Sequence, residues 1–135
     1  MYLNEHMRKS LFLIFTFLSL TTFGQHLNCC ETEKEVEFYL NGKWKLKNSD
    51  SKTIYYYSFK NGKGYLEYFK ANDKEEGIFR TDNDAFVEII KYENGFKIEY
   101  IYTFETMTLE LKYLNSNKLI LLRDGTEKEY YKIEE

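Results

Sequence analysis

The sequence predicts an all-β protein, an antiparallel up-and-down β-barrel of about eight strands behind one short helix. Three observations favour this class. Apolar and polar residues alternate with a period of two from Gly42 onward. Glycine and asparagine turns interrupt the alternation roughly every ten residues. Aromatic residues make up 19% of the 135 residues, and proline is absent. Such a chain has enough apolar material for one packed domain.

The first segment is expected to be a targeting signal. Arg8 and Lys9 precede the apolar run Leu11–Phe23, and Gly24 follows it. A basic start, a short apolar run and then small residues are typical of a secretory signal peptide. A transmembrane helix needs about 20 apolar residues, more than this run offers. We therefore predict a signal peptide over residues 1–24, a flexible tail over 25–35 and the barrel domain over 36–135. The alternatives are a buried helix or an uncleaved anchor, and translation from Met7.

An exported protein of this kind resides in the periplasm or outside the cell. Cys29 and Cys30 offer an alternative, lipid anchoring at either cysteine, but neither matches the bacterial lipidation pattern well. A disulfide between neighbouring cysteines is rare. In an oxidising compartment an intermolecular bridge is also possible. The favoured interpretation is two exposed thiols on the flexible tail.

One helix is predicted, over Glu33–Leu40. Val36, Tyr39 and Leu40 lie at i, i+3 and i+4, which places them on one face. The following Asn41-Gly42 is typical of a helix end. The helix is about two turns long, a length that suits a cover for the barrel better than a core element.

The strands follow in chain order. The alternation of Trp44 and Leu46 with lysines starts the series, and Tyr55, Tyr57 and Phe59 share one face of the next strand. The predicted strands are Lys43–Lys47, Thr53–Lys60, Tyr65–Lys70, Ile78–Arg80, Ala85–Tyr92, Phe96–Phe104, Met107–Tyr113, Leu119–Arg123 and Glu129–Ile133. Short turns between neighbours favour a meander, and closure into a barrel removes exposed edges.

Two segments resemble a known family. The stretch Leu40–Leu46, LNGKWKL, resembles the opening of lipocalin-like domains, in which Gly-x-Trp starts the first strand. The C-terminal half is similar to small secreted lipocalin-like proteins of Gram-negative bacteria. The resemblance implies that Trp44 lies at the closed end of the barrel. It also implies that a late basic residue packs across the indole, and Arg123 is the candidate by position.

Alternation also predicts which side chains face the interior. An eight-stranded barrel either fills with side chains or holds one small ligand. The ordinary alternative for each residue is core packing, but several buried tyrosines would need partners for their hydroxyl groups. The candidates for ligand contact are Phe59, Tyr68, Phe96, Ile98, Tyr100, Tyr102, Met107 and Leu109.

Composition argues against several functions. With 19 Lys+Arg against 22 Asp+Glu, the net charge of -3 leaves no basic excess for nucleic acid. The two histidines, His6 and His26, precede the barrel, so histidine-dependent hydrolysis has no candidate within it. Asp82 and Asp84 lack the later Gly and Glu of a calcium loop. We expect no catalytic residue, metal or cofactor; only a carboxylate such as Glu88 or Glu99 inside a cavity beside tyrosine would revive an enzyme.

The leading hypothesis is an exported monomer that binds a small apolar or amphipathic molecule without covalent chemistry. The mature chain is expected to have no transmembrane span. The alternative is a protein-interaction module, such as an inhibitor, an immunity protein or an envelope-assembly factor, with a filled barrel and a working outer face. Exposed tyrosines on Thr53–Lys60 would be its signature.

Overall fold

A computed structural model describes residue 27 and residues 29–60, 63–72, 77–80 and 83–134 of the chain. The predicted signal peptide, residues 1–24, lies outside these residues, as does Asp82 of the weighed calcium loop. Within the described part of the chain, no helix has both the length and the apolar character needed to cross a membrane.

Helix α1 spans Glu33–Leu40, as predicted. Thr32 begins it, because its hydroxyl accepts a hydrogen bond from the backbone N–H of Glu35. Val36 and Leu40 are buried against the barrel. The helix ends before Gly42, whose φ of 130° lies in a region that only glycine adopts readily.

In the part of the chain that the structure describes, nine strands follow the helix, and each pairs antiparallel with its neighbours. Their bounds are β1 Gly42–Leu46, β2 Thr53–Lys60, β3 Lys63–Asn72, β4 Gly77–Arg80, β5 Ala85–Tyr92, β6 Gly95–Ile101, β7 Thr106–Leu114, β8 Lys118–Arg123 and β9 Thr126–Ile133. Alternation in the sequence therefore located every strand.

Eight of these strands close into a ring. The order runs β1, β2, β3, β5, β6, β7, β8 and β9, and β9 pairs with β1 to complete the circuit. Strand β4 lies outside the ring. Residues Gly64–Leu66 of β3 pair with β5, and residues Phe69–Asn72, further along the same strand, pair with β4. The predicted all-β, up-and-down barrel with one short helix is confirmed.

The barrel interior is apolar along the strands. Trp44, Ile98, Leu114 and Leu119 are among its fully buried residues. Within the described residues, every residue classed as buried is hydrophobic, and none is charged. Removal of this apolar surface from water is the main stabilising contribution to the fold.

Two strand predictions need correction near turns. Strand β6 ends at Ile101 instead of Phe104, because the N–H of Tyr102 bonds the carbonyl of Glu105 at 2.8 Å and turns the chain. Phe104 lies in that turn and is 97% exposed. On β7, a bulge between Leu111 and Tyr113 shifts the register. It reverses the alternation, so that Leu114 is buried in place of Tyr113.

The segment before the helix also differs from expectation. Leu27 and Cys30 are buried in the barrel core, so packed residues begin before the predicted boundary at residue 36. Cys29 and Cys30 form a disulfide with each other. Both sulfur atoms are therefore bonded, and the expectation of two exposed free thiols is wrong.

Candidate functional site

Six tyrosines converge inside the barrel. We call them the tyrosine cluster: Tyr55, Tyr57, Tyr68, Tyr100, Tyr102 and Tyr130. Alternation on β2, β3, β6 and β9 points their side chains inward. Tyr102 directly follows the end of β6, where the chain turns toward β7, whereas the helix precedes the opposite end, at the start of β1.

The cluster contains two hydroxyl pairs. Tyr57 Oη and Tyr100 Oη lie 2.8 Å apart, and both residues are buried. Tyr68 Oη and Tyr102 Oη lie 2.5 Å apart, and both residues are partly exposed. The deep pair, Tyr57 and Tyr100, is therefore shielded from water. The outer pair, Tyr68 and Tyr102, is accessible to water.

Aromatic edges and faces pack the remaining members together. The Tyr55 ring lies edge-on to the rings of Tyr68 and Tyr130, each with a centroid separation of 5.3 Å. The rings of Tyr57 and Tyr100 are 6.3 Å apart in a similar orientation. Edge-to-face geometry adds about 0.5–1.5 kcal/mol per pair beyond the burial of area. The result is a wall of ring faces with hydroxyl groups between them.

Burial raises the pKa of five phenols in the cluster. It is the largest cause of the raised pKa of Tyr57, and the neighbouring Tyr100 raises that pKa further. Burial likewise raises the pKa of Tyr55, Tyr68 and Tyr100 above the usual range, and that of Tyr130 to about 12. At neutral pH these five residues therefore present uncharged hydroxyl groups, each able to donate and accept a hydrogen bond.

This arrangement suits recognition of an uncharged molecule. Ring walls contact apolar surface, and hydroxyl groups that pair with each other can transfer their hydrogen bonds to a ligand. Since burial already disfavours the negative charge of a phenolate here, a bound anion would meet the same cost.

The structure brings together three of the predicted ligand residues: Tyr68, Tyr100 and Tyr102. The other five all belong to the core or pack against it. Of these, Phe96 and Ile98 are fully buried on β6, toward the helix. Phe59 lies beside Gly64 near the β2–β3 turn. Met107 and Leu109 lie on β7 opposite Tyr100 and Ile98.

Three members of the cluster were not among the predicted ligand residues: Tyr55, Tyr57 and Tyr130. Each lies on the inward face of its strand, next to residues that are buried or were predicted to face inward. The signal that could have found Tyr55 and Tyr57 was their common face with Phe59. Tyr130 lacked such a signal, because its position depends on pairing with Leu46 and Leu119.

A second polar arrangement lies at the C-terminal end of helix α1. The Lys132 ammonium lies 4.9 Å above the Trp44 ring and donates hydrogen bonds to the carbonyls of Tyr39 and Asn41, at 2.8 and 3.0 Å. The Trp44 indole N–H donates to the carbonyl of Leu40 at 2.8 Å. These groups together bind the carboxyl end of α1, where a cation is electrostatically favoured.

The cation over Trp44 is therefore Lys132, and the assignment of that place to Arg123 is corrected. Register explains the difference, since Trp44 pairs with Lys132 across β1 and β9. Arg123 lies at the far end of β8, where its largely exposed guanidinium is 4.0 Å from Asp124. Partial burial lowers the pKa of Lys132, so the ammonium carries a desolvation cost that its carbonyl partners offset.

The outer surface has an apolar groove of about 250 Å³ on β1, β2 and β3. Lys43, Ile54, Tyr56 and Phe69 line it. Glu88 and Glu99 face each other across β5 and β6, also on the outside. Neither carboxylate therefore lies beside the tyrosine cluster.

No protein-family model matches the sequence, and no curated protein matches it. Among solved structures, the chain is similar to a lipocalin-like protein from Bacteroides uniformis ATCC 8492. The identity is 18%, the match covers 70% of this chain and 99% of that chain, and the TM-score is 0.44. The closed barrel is established by the strand order and register of this chain.

Proposed function

We propose that the protein binds a small, uncharged amphipathic molecule at the tyrosine cluster, without catalysis, and does so as an exported monomer. The observation that carries this proposal is the outer hydroxyl pair, Tyr68 and Tyr102. These two groups satisfy each other, yet both residues remain partly exposed. A ligand with an acceptor or donor can part them and take over the hydrogen bond.

The energetics favour such an exchange. Two hydroxyl groups that separate at a wet site lose one hydrogen bond and regain equivalents from the ligand or from water. Contact with the rings of Tyr55 and Tyr130 then removes apolar ligand surface from water at about 25 cal/mol per Å². Recognition therefore combines apolar area with one or two directed hydrogen bonds.

A pair of fluorescent probes tests the ligand class. N-phenylnaphthylamine and anilinonaphthalene sulfonate share their aromatic rings and differ by one sulfonate charge. We expect the neutral amine to bind at least tenfold more tightly, because the raised pKa values of the phenols reflect a site that opposes negative charge. Equal affinity for the two probes would contradict the proposed class of ligand.

Conservative variants test the location. Tyr102→Phe retains the ring and removes one hydroxyl, so we expect affinity for the amine to fall about fivefold, near 1 kcal/mol. Tyr65→Phe is the matched control, because Tyr65 lies on the outer face and is 39% exposed. Equal losses in the two variants would show that the probe binds elsewhere. In a separate experiment, native mass spectrometry of protein purified from its own cells would measure the mass of a bound natural ligand.

The outer groove supports a second candidate function, binding of a protein partner. Tyr56 faces it from the strand on which the interaction-module hypothesis expected outward tyrosines. A partner would insert one apolar side chain against Ile54 and Phe69. Tyr56→Ser would then abolish partner binding and leave probe binding at the cluster unchanged, whereas Tyr102→Phe would weaken probe binding and leave partner binding unchanged.

A further inference from the structure

The disulfide between Cys29 and Cys30 is poorly suited to stabilising the fold. Its two Cα atoms are 3.7 Å apart, and no residue separates them in sequence. In the chain-entropy account, a crosslink stabilises by restricting the unfolded chain, and the restriction grows with the loop that it closes. A bond between neighbours closes the smallest possible loop. Its presence therefore calls for a role other than stapling two elements together.

The disulfide occupies a specific place, directly before the helix that covers the barrel end. Cys30 is 5% exposed within the core cluster, whereas Cys29 packs against that cluster and remains partly exposed. The Cys30 N–H bonds the carbonyl of Leu27 at 3.1 Å, and the carbonyl of Glu31 accepts from Lys91 Nζ at 2.7 Å. The next residue, Thr32, caps α1. A change at the cysteines is therefore transmitted to the start of the helix.

We propose that Cys29–Cys30 is a redox site that exchanges with a dithiol and controls how firmly the segment from Cys29 to Thr32 is held on the barrel. A thiolate of the dithiol attacks Sγ of Cys29, the more exposed residue, to form a mixed disulfide, and the electron pair of the broken S–S bond goes to Cys30 Sγ. The Cys30 thiolate takes a proton.

The second thiolate of the dithiol then attacks the dithiol's own sulfur in the mixed disulfide, and the electron pair of that S–S bond goes to Cys29 Sγ. The dithiol leaves as its own disulfide, and the Cys29 thiolate takes a proton. Two electrons and two protons have passed to the protein, and both cysteines are thiols. Reduction frees the two side chains to rotate independently. The Cys30 thiol remains compatible with an apolar core, so the barrel persists while the turn before α1 loosens.

Hydrogen exchange of the purified protein, oxidised and after dithiothreitol, measures the effect. The informative amides are those of Cys30, Glu35 and Val36. The Cys30 N–H donates to Leu27, and the other two donate to Thr32. We expect their protection to fall about tenfold on reduction, while amides of β6 and β7 stay unchanged. Alkylation and intact mass confirm that both thiols formed, and removal of the dithiol restores the oxidised pattern.

Cys29→Ser is the matched variant, because it cannot form the disulfide in any buffer. In oxidising buffer it should show the exchange pattern of the reduced protein, and dithiothreitol should not change it. If reduction requires denaturant, or if the reduced protein keeps full protection at the three amides, the redox site is refuted. Should Cys29→Ser fail to fold, the comparison of oxidised and reduced wild-type protein still decides the question.

Discussion

The deep hydroxyl pair supplies the sharpest test of the cluster. Tyr57 and Tyr100 are 3% and 2% exposed, so water does not replace a missing partner. Their hydroxyl groups share one bond of 2.8 Å. Tyr57→Phe removes one hydroxyl and leaves the other buried without its partner, at a cost of about 1–3 kcal/mol. Tyr100→Phe should cost a similar amount for the same reason.

The double variant Tyr57→Phe/Tyr100→Phe removes both polar groups together. Because no unpaired hydroxyl remains, we expect it to cost about as much as one single change, near 2 kcal/mol, instead of the sum near 4 kcal/mol. The coupling free energy is then about 2 kcal/mol. Urea denaturation measures it, since a loss of 2 kcal/mol lowers the midpoint by about 1–2 M for a small domain.

Tyr68 and Tyr102 provide the control cycle. They make the same kind of bond, but both residues are partly exposed, and water can satisfy a lone hydroxyl. The coupling should therefore stay below about 1 kcal/mol. Additive losses for Tyr57 and Tyr100, or stronger coupling in the outer pair, would refute the distinction between a shielded and an exchangeable pair.

Three further predictions follow from packing and charge. Gly64→Ala would place a methyl carbon 2.5 Å from a ring carbon of Phe59, and we expect a loss of about 1–3 kcal/mol by thermal unfolding, relieved in part by Phe59→Leu. Lys132→Met keeps apolar bulk over Trp44 but leaves two carbonyls unpaired, so urea unfolding should show a loss of about 1–3 kcal/mol; an unchanged midpoint would refute the role of the ammonium. The raised tyrosine pKa values contribute to the free energy of unfolding, and this contribution is fully present below pH 10. It is lost as the pH rises through the pKa of the folded state, which is about 12 for Tyr130. Absorbance titration should therefore show the phenols of Tyr57, Tyr68, Tyr100 and Tyr130 ionising only as the barrel unfolds above pH 10. Complete ionisation of these four residues near pH 10 with the fold intact would contradict this. The lowered pKa of Lys132 changes the stability in the opposite direction as the pH rises.

Local pattern was enough for the elements and the fold class. Alternation identifies a strand wherever one face is buried, and Asn41-Gly42 marks the helix end through the positive φ of glycine. The pattern did not show the bulge on β7, because Leu111 and Tyr113 are both compatible with an inward position until the register with β8 is known. Turn residue Phe104 was misplaced for a related reason, since hydrophobicity alone does not locate the end of a strand.

Contacts between distant residues were beyond the sequence. The bond between Tyr57 and Tyr100 joins positions 43 residues apart, and its formation depends on closure of the ring. Lys132 reaches Trp44 only because β9 pairs with β1 in one particular register. A shift of one residue would move its ammonium to the outer face. Composition shows that the interior contains tyrosines, but the order of strands decides which hydroxyl groups meet.

The two ends of the barrel differ in what an incoming molecule would have to break. At the helix end, Trp44 and Lys132 donate three hydrogen bonds to the carbonyls of Tyr39 and Leu40 in α1 and of Asn41 just after it. Opening this end would leave those carbonyls and a partly buried ammonium without partners, which costs several kcal/mol. At the other end, parting Tyr68 from Tyr102 exposes two neutral hydroxyl groups that a ligand satisfies at once. Entry through the tyrosine cluster would therefore have the lower cost, and this difference supports the proposed binding site there.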